Sequence, residues 1–198
     1  MPSYGGGMEI FMKNLQDKFI GQMLCVLLQH AKLAFIFSIF SVMLLPIWSH
    51  KIGEVIFASI GILFYSMSMY GVAGAIFERD NKSYTPLTPK PWKGLVLPIF
   101  LMIANIAVIV IYKCSWNFGY IDGNWVSKWG IIGNIFAFAW FSMYQPFMGM
   151  KLGVMQMSGY VIAVVLPVVM TTLGYFLNYN GIYLSKYINF IKYENKKR

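Results

Sequence analysis

Five uncharged stretches follow one another along the chain, separated by short segments that hold nearly all of its charged residues. They comprise residues 33–49, 55–77, 95–112, 131–150 and 152–185. A helix crosses a hydrocarbon core of about 30 Å in roughly 20 residues, and each of these stretches, with 17 to 34 residues, is long enough to do so. None alternates polar and apolar positions with a period of two, so barrel strands are excluded. The pattern predicts an all-α integral membrane helical bundle.

The distribution of Lys and Arg indicates how many stretches cross the bilayer, because short loops rich in these residues stay on the cytoplasmic side. With five transmembrane helices the two faces receive seven and eight basic residues, if Lys32 is left aside, which is no bias. With four, eleven basic residues lie on the cytoplasmic side and four lie outside. We therefore predict transmembrane helices at residues 32–49, 55–77, 95–112 and 158–178. Five transmembrane helices are the alternative.

In the four-helix interpretation, residues 131–150 form a re-entrant or interfacial segment that enters and leaves on the outer side. This stretch is more polar than the others and holds Asn134, Ser142, Gln145 and Pro146, with Trp129, Trp140 and Tyr144 close by. Such residues are typical of helices at headgroup depth or of irregular segments buried in protein. An ordinary span kinked at Pro146 is the alternative, since 20 uncharged residues are long enough to cross.

The two ends of the chain are expected at the cytoplasmic surface of one membrane domain, residues 1–198. Residues 8–31 have apolar side chains at helical spacing and predict an interfacial amphipathic helix, which leads into the first span near His30 and Lys32. Residues 179–198 form a basic tail that ends in "KYENKKR". The sequence thus predicts a multi-pass protein of the cell membrane with cytoplasmic N- and C-termini.

Composition supports this placement and indicates a lipid partner. Hydrophobic residues make up 58% of the chain and charged residues 12%, whereas soluble domains have about a quarter charged. The formal net charge is +9, and the basic residues lie at the expected membrane boundaries. Anionic lipid head groups are therefore the expected partner, together with a membrane-protein subunit, and nucleic acid is not.

Candidate chemistry is sparse. His30 and His50 lie twenty residues apart on the predicted first helix, too far to share a metal ion. Neither cysteine spacing matches a zinc or redox motif, and no nucleophile, base and acid group together. We expect no catalytic residue, no cofactor and no metal, and a protein that is not an enzyme. Ionisable groups at mid-membrane depth, which mark many carriers, are not expected either.

The segment between the second and third spans is the most polar of the chain's interior. Its prolines, Pro86, Pro89 and Pro91, favour extended backbone and a stiff loop. Glu78 and Asp80 end the preceding helix, where negative charge is unfavourable, so Arg79 or a tail lysine is the expected partner. The residues predicted to contact a partner or lipid are Glu78, Arg79, Asp80, Lys82, Lys90, Trp92 and Lys93.

Three stretches of the sequence, "YGVAGAIFERDNK", "PWKGLVLPIFLMIANI" and "VVLPVVMTTLGYFLNYNGIYLSKYI", carry a resemblance to known proteins. The chain resembles a group of small integral membrane proteins of Gram-positive bacteria that has no assigned activity. The resemblance implies an inner-membrane location and a four-helix core, and it implies no mechanism.

Two classes of function follow from these predictions. The first is a non-catalytic membrane accessory protein, or a subunit of a membrane complex, that docks through the basic Pro-rich loop and the tail. The second is a small transporter or permease-like component in which Pro167, Asn105 and the segment around Gln145 and Pro146 line a path. The lack of expected ionisable groups inside the membrane favours the first.

Overall fold

Long apolar helices dominate the architecture. The computed structural model describes residues 18–43, 51–83, 86–121, 124–125, 128–144 and 157–182. Within these ranges the helices are α1 (Phe19–Met43), α2 (Lys51–Asp80), α3 (Lys93–Val96), α4 (Ile99–Gly119), α5 (Lys128–Trp140) and α6 (Met157–Tyr179), with a 3-10 turn at Ser142–Tyr144. The strands β1 (Tyr120–Ile121) and β2 (Asn124–Trp125) pair in an antiparallel manner. Apart from this small hairpin, the all-α prediction is confirmed.

Four of the helical segments are long and apolar enough to span a membrane among the residues that the structure describes. They are Phe19–Met43, Ser59–Asp80, Lys93–Ser115 and Gly159–Tyr179. The last three agree within a few residues with the predicted spans 55–77, 95–112 and 158–178. The chain is thus a multi-pass membrane protein, as the uncharged stretches predict.

The first span differs from its prediction. The sequence predicts a boundary at residue 32 between an interfacial helix (8–31) and a span (32–49), but α1 is continuous from Phe19 to Met43. The amphipathic interfacial helix is not confirmed, because Met23, Val26 and other apolar residues of this stretch are buried inside the bundle. Residues 8–17 and 44–49 lie outside the described residues, as does the tail beyond residue 182.

Side-chain contacts give the direction of each helix. Gln22 of α1 lies beside Asp80 of α2, whereas His30 lies beside Tyr65, so these two helices are antiparallel. Glycines on α2 and α6 show that these two run parallel: Gly174 lies against Tyr70 and Gly74 against Asn178. Helix α4 is antiparallel to α6. We call the end at which α1 starts, α2 ends, α3 starts and α6 ends the Asp80 end.

Two prolines each leave a backbone carbonyl without its intrahelical hydrogen bond, and a side chain of a neighbouring helix supplies the missing donor. A proline has no N–H, so the carbonyl four residues earlier loses its intrahelical donor. Pro167 of α6 leaves the Ala163 carbonyl without its intrahelical donor. This carbonyl accepts a hydrogen bond from Asn105 Nδ2 of α4 at 2.8 Å. Pro98, between α3 and α4, leaves the Gly94 carbonyl of α3 without a donor in the same way. This carbonyl accepts a hydrogen bond from Thr172 Oγ1 of α6 at 3.2 Å. The bilayer supplies no alternative donors, so these bonds join α6 to α4 and to α3.

Helix α5 packs along the half of α4 that is farther from the Asp80 end, and it ends near the middle of the bundle. Gly133 lets the two helices approach, since a methyl group there would lie 1.9 Å from Ser115 Oγ. At its other end, Trp140 Nε1 donates a hydrogen bond to Asn105 Oδ1 at 2.8 Å. In the 3-10 turn that follows, Ser142 Oγ donates one to the Ala34 carbonyl of α1 at 2.9 Å. The tip of α5 is therefore joined to α1 and α4.

We predict that the cost of replacing Asn105 depends on Pro167. Asn105→Leu leaves the Ala163 carbonyl without a donor and the Trp140 indole N–H without an acceptor, so it should lower the free energy of unfolding by about 1 kcal/mol or more. In a Pro167→Ala background the helix can re-form its own bond to Ala163, so the same change should cost clearly less. Unfolding in mixed micelles measures all four chains of this double-mutant cycle. Equal costs in both backgrounds would show that the asparagine does not replace the missing backbone donor.

Candidate functional site at the Asp80 end

A buried carboxylate lies at the centre of the Asp80 end. Asp80 is the last residue of α2, and its side chain is 1% exposed. An anionic group here is unfavourable twice over, because it opposes the helix dipole and because it has lost contact with water. Such a group persists in a folded protein only where other groups supply positive charge and hydrogen bonds.

Three helices supply those groups. Lys93, the first residue of α3, forms a buried ion pair with Asp80 Oδ2. Gln22 Nε2 of α1 donates a hydrogen bond to Oδ1 at 2.7 Å, and the Tyr175 hydroxyl of α6 donates one to Oδ2 at 2.8 Å. The carboxylate therefore links the end of α2 to α1, α3 and α6. We call Asp80, Lys93, Gln22 and Tyr175 the Asp80 network.

The close packing of α3 on α6 places Lys93 within reach of Asp80. Gly94 makes this possible, since a Cβ atom there would lie 3.1 Å from both the Thr172 carbonyl oxygen and Tyr175 Cβ. The short helix consequently lies directly on α6, and the Lys93 ammonium points inward. Its Nζ is also 5.7 Å from the ring centroid of Phe19 in α1, a cation–π contact.

Side chains at the surface of this end surround the network. The ring of Trp92 is 50% exposed and meets Phe19 edge to face at 6.2 Å between centroids. Lys90 Nζ lies 5.9 Å from the Trp92 centroid. Glu78 and Lys82 are exposed, and Arg79 is half-buried. The described part of the loop between α2 and α3 thus presents cations and the Trp92 ring to its surroundings.

The seven residues predicted as partner or lipid contacts therefore fall into two groups. Asp80 and Lys93 are turned inward and paired with each other, whereas the other five, Glu78, Arg79, Lys82, Lys90 and Trp92, lie wholly or partly at the surface. The sequence predicts Arg79 or a tail lysine as the partner of the acids, and the ion pair that the structure gives Asp80 is with Lys93.

Sequence reasoning missed Gln22 and Tyr175 as members of the network. Gln22 falls in the stretch interpreted as an interfacial helix, where a polar residue needs no partner. Tyr175 lies near the end of the last span, where a tyrosine is ordinary at a membrane interface. The available signal was topological: the four-helix interpretation puts both residues at the same end of the bundle as Asp80.

A second polar cluster lies halfway along the bundle. The sequence predicts His30 near the start of the first span, but it lies well inside α1 and is fully buried. Its Nδ1 is hydrogen-bonded to the Tyr65 hydroxyl of α2 at 3.0 Å, and its ring lies 4.9 Å from Trp140 of α5. Tyr65 in turn meets Tyr144 edge to face at 5.4 Å. An ionisable ring is therefore present inside the spanning region, contrary to the sequence expectation.

The residues proposed to line a transport path are engaged in helix contacts where they can be observed. Asn105 is fully buried and bonded to both Ala163 and Trp140, and Pro167 is buried. Gln145 and Pro146 lie outside the described residues. Within the described parts of the chain, no three His, Cys, Asp or Glu side chains come together in a way that could hold a metal ion.

Comparison with protein-family models, with curated proteins and with solved structures gives no match. The resemblance to small membrane proteins of Gram-positive bacteria thus stays a prediction.

We predict that Asp80 and Lys93 are strongly coupled in stability. Asp80→Asn leaves a buried ammonium and Lys93→Met leaves a buried carboxylate, so each change should lower the free energy of unfolding by about 3 kcal/mol. The double variant should lose much less than the sum of the two. The matched controls are single variants at two exposed charged residues, Glu78→Gln and Lys82→Gln. Each should shift the free energy of unfolding by at most about 0.5 kcal/mol. Additive costs for Asp80 and Lys93 would contradict the ion pair.

Proposed function

We propose that the chain is a non-catalytic integral membrane accessory protein, or a subunit of a membrane complex, that docks through the basic Pro-rich loop between α2 and α3 and through its basic tail. The observation that carries this proposal is the Asp80–Lys93 pair, which fastens both ends of the loop to the bundle. The exposed residues of this region, such as Lys82, Lys90 and Trp92, consequently lie on a loop whose two ends are fixed.

A loop fixed in this way is suited to recognition. Ordering a flexible segment on binding costs conformational entropy, and a segment that is already ordered avoids much of that cost. Pro86, Pro89 and Pro91 restrict the backbone within the loop, and the ion pair restricts its ends. The surface is mostly cationic with Glu78 at one side, so an acidic segment of a partner is complementary to it.

We further propose four transmembrane helices with α5 as part of a re-entrant segment. Support comes from the ends of α4 and α6: α4 finishes and α6 starts at the end of the bundle opposite to Asp80, so the chain between them begins and ends on one side. Helix α5 packs on the outer half of α4, and its tip contacts His30 and Asn105 halfway along the bundle. The excess of eleven basic residues over four then puts both termini in the cytoplasm.

A small transporter is the alternative function, and the cluster at mid-bundle depth favours it. Ionisable residues inside membrane spans often mark the path of a substrate or proton, and His30 is such a residue. Its hydrogen bond to Tyr65 and its contact with Trp140 would have to change for a path to open. The Asp80 network supports docking through the loop and has no part in the transporter alternative. We therefore prefer the accessory function.

The proposed docking is tested by co-purification from the native membrane in mild detergent. A bound subunit should co-elute with the wild-type chain and be lost from a variant carrying Glu78→Gln, Arg79→Gln and Lys82→Gln. A variant with Lys113→Gln and Lys128→Gln, two exposed cations near the opposite end, should retain it. If the chain instead elutes alone, is stabilised by a small solute and loses that stabilisation in the His30→Phe variant, the transporter is favoured.

The proposed topology is tested by reporters and labels. A reporter fused after Arg198 should be cytoplasmic, as should one at the N-terminus. Single cysteines placed at Trp129 and Lys151 in a chain without Cys25 and Cys114 should react with an impermeant reagent added from the outside. Labelling of those two positions from opposite sides would establish a fifth span and remove the re-entrant segment.

A further inference from the structure

Phe19, Lys90 and Trp92 are in contact at the Asp80 end, where two spans begin, and Lys18 directly precedes Phe19 in the chain. Lys18 and Phe19 stand at the start of α1, and Lys90 and Trp92 precede α3. Trp92 joins the two pairs, because its ring contacts Phe19 at 6.2 Å and the Lys90 ammonium at 5.9 Å. We propose that Lys18, Phe19, Lys90 and Trp92 form a binding site for the head group of an anionic phospholipid. We call it the head-group site.

The two ammonium groups of the site carry uncompensated charge. Lys18 and Lys90 are exposed, and neither pairs with a carboxylate among the described residues. The neighbouring Lys93 differs, because it is buried and its charge is matched by Asp80. A phosphate group is an acceptor with full negative charge, so it complements these two exposed ammonium groups.

The aromatic pair gives the site the depth and the shape of a lipid contact. Phe19 and Lys93 are the first residues of two spanning segments, so Trp92 lies at the boundary between hydrocarbon and water. Tryptophan is enriched at this depth because one part of its ring is apolar and the other is a hydrogen-bond donor. With half of its surface exposed, Trp92 can contact the glycerol and upper acyl region while the lysines contact the phosphate.

The Asp80 network keeps this surface in place. Lys93 follows Trp92 directly in the chain and is fixed by Asp80, and Gln22 lies one turn after Lys18 and is bonded to the same carboxylate. Both halves of the head-group site are thus held by one buried group. The site rests on the membrane insertion of these helices and deepens the proposed function by naming a lipid partner, but it requires no protein partner.

Lipid titration of the purified full-length chain tests the site. The protein is prepared in a neutral detergent, titrated with phosphatidylglycerol or phosphatidylcholine at low salt, and bound lipid is counted by native mass spectrometry. The wild type should bind phosphatidylglycerol in preference. Lys18→Gln with Lys90→Gln should weaken this binding about 25-fold, since each lysine near an anionic head group contributes roughly fivefold. Binding of phosphatidylcholine should change little.

The matched control removes the same charge elsewhere. Lys113→Gln with Lys128→Gln should leave phosphatidylglycerol binding unchanged, and thermal unfolding establishes that both double variants are folded. Equal losses in the two double variants would overturn the proposal in favour of general charge attraction. Displacement of the lipid by millimolar inorganic phosphate would also overturn it, because the site would then recognise free phosphate. Because no other protein is present, the result is independent of the co-purification experiment.

Discussion

A carboxylate removed from water must be matched by positive charge and hydrogen-bond donors, and at the Asp80 end this requirement organises the structure. Asp80 obtains its partners from α1, α3 and α6, so that one side chain joins four helices. Replacing such a network by apolar residues often costs little stability, whereas breaking it costs much. Its contribution is therefore to specify which helix ends meet and where the loop leaves the bundle.

The same physical rule acts on the backbone of the helices. Lipid offers no hydrogen bonds, so each carbonyl freed by a proline must find a donor within the protein. Asn105 of α4 donates to the carbonyl freed by Pro167 of α6, and Thr172 of α6 donates to the Gly94 carbonyl of α3, which Pro98 frees. Trp140 then bonds to the same asparagine and connects the tip of α5 to α4. Polar side chains in these spans thus act as connectors between helices.

The uncharged stretches were sufficient to predict the helical fold, the membrane class and three of the four spans. The start of α1 was not predictable in the same way, because the apolar stripe of residues 19–31 fits a membrane surface as well as a neighbouring helix. Glu78 and Asp80 look alike in sequence, yet one is exposed and the other buried. What separates them is contact with Gln22, Lys93 and Tyr175, residues that lie far apart in sequence or across a loop.

Infrared difference spectroscopy of Asp80 in bilayers tests the central claim most directly. The wild type is compared with Asp80→Asn, and Glu78→Gln provides the signal of an exposed carboxylate. We predict that Asp80→Asn removes an antisymmetric carboxylate stretch that is insensitive to exchange of the solvent into deuterium oxide, and that Lys93→Met shifts the frequency of this band. A wild-type spectrum in which Asp80→Asn removes no such band, or an Asp80 band unaffected by Lys93→Met, would contradict the buried ion pair.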